Sequence, residues 1–291
     1  MATIPPLFKQ ETCQSLFEKN GFVKVPLLSD NQAEELAALF ETTRTQHETV
    51  SNLHHTTTDT QNPELIYKVD AAIKKAFQPE LEKILVNFKP LAGCFHIKEP
   101  GAGSATGVHQ DPTFVDETKY CSANVWVALH DMNAENGNLF FVSGSQNIAP
   151  SLRITPYSPT YYESFNQSLP EMAVQVPMKK GEAVIFNNGT IHGATDNITH
   201  TLRLAATLLV CSGEADWLIY FNDPANKGYD KIEEYRLDLP AFVSMAKNGR
   251  PSAANFTRNL SYKFPSLTKE EFEKQINRRN GNSWWKRILN L

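Results

Sequence analysis

The order in which two kinds of sequence pattern occur constrains the fold of this chain more than any other feature. Up to about residue 90, apolar side chains recur at helical spacing, as Cys13 and Phe17 do within Gln10–Asn20. After Leu91 the apolar runs become short and are bounded by turn residues such as Gly181. Helical segments followed by many short strands predict an all-β core with flanking helices, in the form of a sandwich or a barrel.

Capping and turn residues divide both parts into predicted elements. In the first part these are helices over Gln10–Asn20, Asp30–Thr45, Pro63–Phe77 and Pro79–Phe88, a strand over Phe22–Leu27, and a loop over Thr45–Pro63. In the second part the predicted strands are Ala92–Lys98, Ala123–His130, Leu139–Val142, Ala183–Phe186, Thr201–Cys211 and Trp217–Phe221. Capping boxes are predicted at Ser29 with Gln32 and at Thr268 with Glu271. The second box begins a predicted helix over Lys269–Asn277, and Trp284–Leu289 is predicted to form a last amphipathic turn.

The composition argues for a globular chain and against several classes of partner. Of the 291 residues, 41% are hydrophobic and 21% are charged, and the net charge of −4 gives no electrostatic reason to expect binding of nucleic acid. The longest apolar run, Leu204–Cys211, is far shorter than the roughly 18 residues of a membrane helix, so we expect no membrane span. The four cysteines are scattered, which predicts free thiols in a reducing compartment. Because no secretory signal is visible either, we expect a cytoplasmic location.

The segment Val108-His109-Gln-Asp111-Pro112 contains a His-x-Asp pattern. In an extended strand, residues two apart point to the same face, so an imidazole and a carboxylate at this spacing can bind one metal ion together. A second histidine from a distant strand would complete the two-His-one-carboxylate triad of non-haem iron(II) oxygenases. The alternative is that Asp111 only caps a turn before Pro112.

His192 and Arg203 are the candidates that follow in the chain. His192 comes shortly after the predicted strand Ala183–Phe186 and is followed by Gly193, a residue that permits close approach of the backbone. Arg203 lies inside a predicted apolar strand, where an arginine needs a specific partner. Its planar guanidinium suits a carboxylate, either of a bound 2-oxo acid or, alternatively, of an internal Asp or Glu.

In order and spacing, five segments of the chain resemble the phytanoyl-CoA dioxygenase family. They are His109-Gln-Asp111, Asn124-Val-Trp126-Val-Ala-Leu129, Glu135-Asn-Gly137 through Gly144-Ser-Gln146, Lys180-Gly181 through Phe186, and His192 with Arg203. The resemblance implies a double-stranded β-helix, that is a jelly roll of the cupin type. It also implies oxidation of a C–H bond coupled to decarboxylation of 2-oxoglutarate to succinate and CO₂. We therefore predict a single domain over residues 1–291, with a helical part over about 1–90, a jelly-roll core over about 91–222 and a helical tail over about 228–291.

Carried over residue by residue, the resemblance implies that His109, Asp111 and His192 bind Fe(II). It implies that Arg203 binds the distal carboxylate of 2-oxoglutarate, with O₂ as the second cosubstrate, and that Trp126 packs on the 2-oxoglutarate. Asn124 shares the face of Trp126 by the period of two.

For the lysines the resemblance leaves a choice. Lys68 is similar to a lysine that reaches 2-oxoglutarate in some family members, and Lys98 is a competing candidate. The alternative for both lysines is a solvated surface charge.

Three features depart from the family pattern or stay open. Ala194 stands where members often carry a hydroxyl residue, and Thr195 or Thr201 could replace it. The segment Ile148–Ala173 matches nothing in the family pattern, and its tyrosines predict either a pocket wall or the small core of a long loop. The remaining histidines, His47, His54, His55, His96, His130 and His200, are interpreted as surface or structural residues, with a lid role considered for His54 and His55.

The predicted function is a hydroxylase or related dioxygenase acting on a small or carrier-tethered organic substrate. Halogenating enzymes of this mechanism carry Gly or Ala at the carboxylate position, so the presence of Asp111 predicts oxygen-derived chemistry. The alternatives are a cupin-type metalloenzyme that uses no 2-oxo acid, which would not need Arg203, and a non-catalytic jelly-roll binding protein.

Overall fold

A computed structural model describes residues 4–44, 53–226 and 228–280. The helices are α1 (Glu11–Asn20), α2 (Asp30–Thr43), α3 (Pro63–Ile84), α4 (Leu239–Asn248) and α5 (Lys269–Asn280). The first strands are β1 (Phe22–Pro26), β2 (His54–Thr56), β3 (Phe88–Lys98), β4 (Thr106–His109), β5 (Ser122–Ala128), β6 (Leu139–Phe141) and β7 (Val174–Val176). The remaining strands are β8 (Glu182–Asn187), β9 (His192–Ala194), β10 (Arg203–Ser212), β11 (Leu218–Phe221), β12 (Ile232–Arg236) and β13 (Phe256–Leu260).

Two antiparallel sheets face each other and form the jelly roll that the sequence predicts. The main sheet has six strands in the order β1-β8-β5-β10-β3-β2, and the smaller sheet has four in the order β4-β9-β6-β7. Trp126 and Phe186 of the main sheet share one buried cluster with Phe141 and Val176 of the smaller sheet. Apolar side chains from both sheets therefore fill part of the space between them.

The two faces of the main sheet have different partners because side chains alternate along each strand. Phe95, Val125 and Leu208 point outward and pack with residues of α1, α2 and α3 in the largest apolar cluster. His96 and Lys98 lie one and three residues after Phe95 in β3, so their side chains point inward, toward the smaller sheet. Arg203 pairs with Lys98 in the register of β3 and β10 and therefore points inward as well. Every residue of β10 is buried, as expected for a central strand that is covered on both faces.

Most of the predicted boundaries and caps are confirmed. Gly21 ends α1 in the left-handed conformation at φ +84°. Ser29 and Gln32 form both hydrogen bonds of a capping box at the start of α2. At the start of α5, the Glu271 amide donates to the Thr268 hydroxyl over 3.2 Å. The predicted turn at Trp284–Leu289 lies outside the described residues.

The predicted break at Pro79 is wrong. The two helices expected over Pro63–Phe77 and Pro79–Phe88 are one continuous helix, α3, with Pro79 inside it. A proline removes one backbone hydrogen bond, but Phe77 and Leu81 on either side are fully buried against the sheet, and this packing holds the helix together. Phe88 begins β3 instead of ending a helix.

Several short strands were not predicted. Part of the expected loop forms β2, which pairs with the end of β3. β7 and β9 have only three residues each, too few to show an alternating pattern. The tail from residue 228 is not purely helical, because β12 and β13 join β11 in a three-stranded sheet. Among the described residues, no helix is both long enough and apolar enough to cross a membrane.

Candidate metal centre

The fold brings His109, Asp111 and His192 together in one group. His109 ends β4 and His192 begins β9, and the two residues stand opposite each other in the pairing of these strands. One ligand atom of each of the three side chains lies within 4.8 Å of the other two. The Asp111 Oδ1 is 3.8 Å from His109 Nε2 and 3.9 Å from His192 Nε2. Across residues 4–44, 53–226 and 228–280, this is the one such group of three His, Cys, Asp or Glu side chains.

Backbone carbonyls orient both imidazoles toward the centre of this group. The Nδ1 of His109 lies 2.8 Å from the Gly107 carbonyl oxygen, and the Nδ1 of His192 lies 2.9 Å from that of Thr190. A proton on each Nδ1 satisfies these bonds and leaves each Nε2 lone pair available for a metal ion. Burial, followed by repulsion from His109, lowers the pKa of His192 to about 4, so the ring is in its neutral, metal-binding form at physiological pH.

Two asparagine side chains hold the carboxylate of Asp111 in place. Asn124 and Asn188 each donate an Nδ2 hydrogen bond of 3.1 Å to its Oδ2, which leaves Oδ1 directed at the histidines. Arg153 donates from Nε to the backbone oxygen of Asp111 over 2.7 Å. Asn124 was assigned to this face from the sequence, whereas Asn188 and Arg153 were missed because both lie in irregular segments. Such outer hydrogen bonds fix ligand orientation in metal sites.

Arg203 is a buried cation with no anion beside it. Its side chain is 1% exposed, and neither Nε nor Nη1 has a hydrogen-bond partner. No Asp or Glu in the described part of the chain forms a salt bridge with it, so the alternative of an internal ion pair is not realised there. Its Cζ lies 5.2 Å from the centre of the Trp126 ring. Burial lowers the pKa of Arg203 to about 9, and among the described residues no neighbouring negative charge offsets this shift.

Lys98 is a second buried cation, next to Arg203 in the pairing of β3 and β10. It is 0% exposed, and its Nζ donates to the Thr195 carbonyl over 2.6 Å. Burial and, secondly, repulsion from Arg203 lower the pKa of Lys98 to about 7, with Asp196 acting in the opposite direction. Two basic side chains buried side by side are suited to hold a carboxylate, and we call Lys98 and Arg203 together the anion pocket.

The structure does not bring Lys68 to this pocket. Lys68 is an exposed residue of α3, and α3 packs on the outer face of the main sheet. Along α3 the residues Leu65, Ile66 and Val69 are buried, which turns Lys68 toward solvent. Lys98 was the competing candidate, and its position in β3 places it on the inner face.

Two histidines interpreted as surface or structural residues also lie on the inner face. His54 in β2 stands opposite Lys98, and its ring stacks on that of His96 with centroids 5.7 Å apart. Burial, then Arg203 and Lys98, lower the pKa of His54 to about 3, and burial lowers that of His96. The idea of His54 in a mobile lid does not fit its place in the sheet. His130 is structural, since its Nε2 accepts the Leu204 amide over 2.9 Å.

Neither Thr195 nor Thr201 replaces the hydroxyl group that family members often carry at the position of Ala194. Ala194 is buried in the apolar cluster between the sheets. The hydroxyl of Thr195 donates to the Ala134 carbonyl over 3.0 Å, and Thr201 is exposed.

The long segment Ile148–Ala173 serves both of the purposes considered for it. Its Tyr161 and Phe165 pack with Phe272 of α5 in a cluster of their own. The same segment lines a cavity of about 350 Å³ that reaches His109, between residues 108–112 and residues 153–166. We call this the side cavity.

Comparison with known proteins agrees with this geometry. The family model described as phytanoyl-CoA dioxygenase (PhyH) matches residues 2–205. The chain belongs to the phytanoyl-CoA dioxygenase family. This match includes the three residues of the metal centre and both residues of the anion pocket.

Curated relatives of the family match a part of the chain. A phytanoyl-CoA dioxygenase domain-containing protein 1 from Danio rerio is 31% identical over 137 residues, which are 45% of this chain and 47% of the relative. Phytanoyl-CoA dioxygenase 1 from Oryza sativa subsp. japonica is 30% identical over 124 residues, which are 41% of this chain and 44% of the relative. The chain spans about half the length of the curated relatives it matches.

Solved structures share the fold. The non-heme alpha ketoglutarate dependent carbocyclase SnoK from nogalamycin biosynthesis superposes with a TM-score of 0.55 at 19% identity, covering 72% of this chain and 86% of that one. The epimerase SnoN, solved with Fe³⁺, alpha ketoglutarate and nogalamycin RO, superposes with a TM-score of 0.54 at 17% identity, covering 90% of this chain and 96% of that one. At these identities the likeness concerns the jelly-roll fold.

Proposed function

We propose that this protein is an Fe(II)- and 2-oxoglutarate-dependent dioxygenase that oxidises a C–H bond of a small or carrier-tethered organic substrate. One observation carries the proposal: a group of two histidines and one carboxylate and an unpaired buried arginine face the same space between the sheets. His96 lies within electrostatic range of both, since Arg203, His109 and His192 all lower its pKa.

The residues of the metal centre fit a ferrous ion. Two neutral imidazoles and one carboxylate are the protein ligands of non-haem iron(II) oxygenases, and they leave open positions for other ligands. We assign His109, Asp111 and His192 this role, with Asn124 and Asn188 holding the carboxylate. Since Asp111 supplies the third protein ligand, no position is reserved for a halide, and we propose oxygen-derived chemistry, with hydroxylation as its main form.

The anion pocket fits the distal carboxylate of 2-oxoglutarate. The unpaired Nε and Nη1 of Arg203 and the Nζ of Lys98 offer the charge-assisted hydrogen bonds that a buried carboxylate needs. Trp126 forms a neighbouring wall of the pocket, since its ring lies under the guanidinium. Lys98 replaces Lys68 as the proposed lysine contact.

When bound, iron and 2-oxoglutarate activate O₂, so that one oxygen atom enters succinate and the other enters the product as 2-oxoglutarate loses CO₂. The contribution of the chain is to hold the reactants in fixed positions and to exclude water. Phe141 and Phe186 pack against the ring of His192, with centroids 5.8 Å and 4.7 Å away, and keep that side of the centre dry.

Anaerobic titration tests this proposal directly. Fe(II) is added to the protein and then 2-oxoglutarate, and the visible charge-transfer band of the iron chelate is recorded. We expect the band in the unmodified protein and in His200→Ala, which removes an exposed histidine outside the centre. We expect no band in His192→Ala. A cupin-type enzyme without a 2-oxo acid, or a binding protein, gives no band in any of the three proteins.

We also propose that residues 1–291 act as a single oxygenase domain. The support is that α1, α2 and α3 contribute to one apolar cluster with the main sheet. Within the part of the chain that the structure describes, this cluster joins the N-terminal helices to the strands that carry Arg203 and Asn124.

A further inference from the structure

We propose that the side cavity is the substrate pocket and that it takes a compact organic amine, not a phosphate-bearing thioester such as an acyl-CoA. This inference rests on the proposed function and adds the substrate class. The reaction would be R–H + O₂ + 2-oxoglutarate giving R–OH + succinate + CO₂, where R carries a protonated amine that binds the pocket and does not react.

The position of the cavity connects it with the metal centre. His109 lines it directly. Arg153 also lines it and donates from Nε to the backbone oxygen of Asp111, which is the next candidate ligand. A molecule in the side cavity therefore lies beside His109, one of the three residues assigned to iron.

The charges of the lining favour a cation. The only cationic side chain in the lining, Arg153, is 4% exposed and is neutralised by Glu117, whose carboxylate accepts from its Nη1 over 2.8 Å and from its Nη2 over 2.5 Å. A third bond, from Nη1 to the Ser151 carbonyl, uses a further donor. Phosphate groups need available cations, in most sites arginines or lysines, and this lining offers none.

A carboxylate and an aromatic ring stand at the mouth instead. Glu163 is exposed, forms no ion pair with any residue that the structure describes, and accepts a hydrogen bond of 2.9 Å from the Tyr157 hydroxyl. That bond holds the carboxylate beside the ring of Tyr157, which is 61% exposed. A carboxylate next to an exposed aromatic face is a recognised setting for an ammonium group.

The size of the side cavity and a polar group in its wall also favour a compact amine as the substrate. A volume of about 350 Å³ is at the lower end of the roughly 300–1,000 Å³ of small-molecule sites, which suits a compact substrate. The Tyr162 hydroxyl in the wall is buried and has no hydrogen-bond partner. A hydroxyl or amine of a bound molecule would satisfy it.

The test uses three probes with the same carbon chain: n-hexylamine, 1-hexanol and hexanoate, together with hexanoyl-CoA. Each is titrated into protein loaded anaerobically with Fe(II) and 2-oxoglutarate, and binding is followed by calorimetry and by the change in the charge-transfer band. We expect hexylamine to bind at least tenfold more tightly than hexanoate, with hexanol between them and no binding of hexanoyl-CoA. Equal or tighter binding of hexanoate or hexanoyl-CoA, or no binding of any probe, overturns the proposal.

Two variants test whether the preference for hexylamine arises in the side cavity. Glu163→Gln should lower hexylamine affinity at least fivefold and leave hexanol binding within twofold. Glu171→Gln, which removes an exposed carboxylate of the same segment outside the cavity, is the matched control and should change neither. An amine preference that survives Glu163→Gln contradicts the assignment. If the charge-transfer band itself is missing before any probe is added, the proposed function fails, and this outcome is separate from the binding result.

Discussion

The anion pocket and the side cavity each contain a buried arginine, but only the arginine of the side cavity is paired with a carboxylate. In the anion pocket, Arg203 is buried with two nitrogens unpaired and with Lys98 beside it. At the side cavity, Arg153 is just as buried, but Glu117 and backbone carbonyls satisfy it. An unpaired buried charge destabilises the free protein, whereas a satisfied one mainly gives structure. The difference in pairing between the two arginines favours an anion-binding site at Arg203 and argues against one at Arg153.

The largest effect is expected from the centre that both regions share. His192→Ala should weaken Fe(II) binding by more than about 100-fold, because loss of a ligand exceeds the 10- to 100-fold loss typical of its supporting hydrogen bonds. The fold should survive, as judged by circular dichroism. Calorimetry with Fe(II) under anaerobic conditions gives the affinity. Near-normal iron binding by this variant would remove His192 from the centre.

The second prediction separates the two arginines. Arg203→Gln should raise the concentration of 2-oxoglutarate needed for half-saturation at least tenfold, because a charge-assisted pair contributes on the order of 2 kcal/mol. Iron affinity should change little. Arg203→Met should in addition stabilise the ligand-free protein by roughly 1–3 kcal/mol in urea unfolding, because it removes an uncompensated buried charge.

The corresponding change at the side cavity should act in the other direction. Arg153→Met removes the donor to the backbone oxygens of Asp111 and Ser151 and leaves the 31% exposed Glu117 without its partner, so it should destabilise the ligand-free protein by about 1–3 kcal/mol. The same urea unfolding experiment measures both variants. If the two methionine variants shift stability with the same sign, the contrast between the pockets is wrong.

The third prediction concerns pH at the anion pocket. Because the pKa of Lys98 is lowered to about 7, this side chain is mostly neutral above pH 7 in the free protein. A bound carboxylate favours the charged form, so binding above pH 7 must take up a proton, and affinity for 2-oxoglutarate should fall as pH rises from 7 to 9. The loss can reach about tenfold per pH unit. His54 stays neutral throughout this range, since its pKa is about 3.

Calorimetric titrations of metal-loaded protein at pH 6.5, 7.5 and 8.5 measure this dependence. Lys98→Met should bind 2-oxoglutarate more weakly than the unmodified protein at pH 6.5 and should lose most of the slope. A flat profile in the unmodified protein would show that Lys98 does not contact the ligand.

The smallest effect is expected at Lys68. Lys68→Met should change the affinity for 2-oxoglutarate less than twofold, because the residue is exposed on the outer side of the sheet. It is the matched control for Lys98→Met in the same titrations. A tenfold loss from Lys68→Met together with no loss from Lys98→Met would restore the original sequence assignment.

Sequence reasoning located the metal centre because its pattern is local. His109 and Asp111 are two residues apart, and the strand geometry alone puts them on one face. Arg203 stood out because a charge interrupts an apolar run. The sequence did not decide between Lys98 and Lys68, because the position of Lys98 beside Arg203 depends on the pairing of β3 with β10. These two strands are far apart in the sequence. The exposure of Lys68, in contrast, was readable from the helical spacing of its apolar neighbours.

The elements that sequence reasoning missed are short or polar. β9 has three residues, so a period of two cannot be recognised in it. β13 is almost entirely exposed, and its sequence Phe-Thr-Arg-Asn-Leu shows no buried face. α3 runs through Pro79 because tertiary packing of its apolar stripe outweighs the missing hydrogen bond. In each of these cases the structure depends on contacts between segments that are distant in the sequence, and local sequence patterns do not indicate such contacts.

We propose that His109, Asp111 and His192 would hold an iron ion and Arg203 a 2-oxo acid, and that the two together would supply the activation of O₂. The most direct test is to incubate the protein with Fe(II) and 2-oxoglutarate under ¹⁸O₂ and to analyse the succinate by mass spectrometry. Our account predicts succinate that carries one ¹⁸O atom, formed slowly without substrate and not formed by His192→Ala. Unlabelled succinate, or labelled succinate formed equally well by His192→Ala, would contradict it.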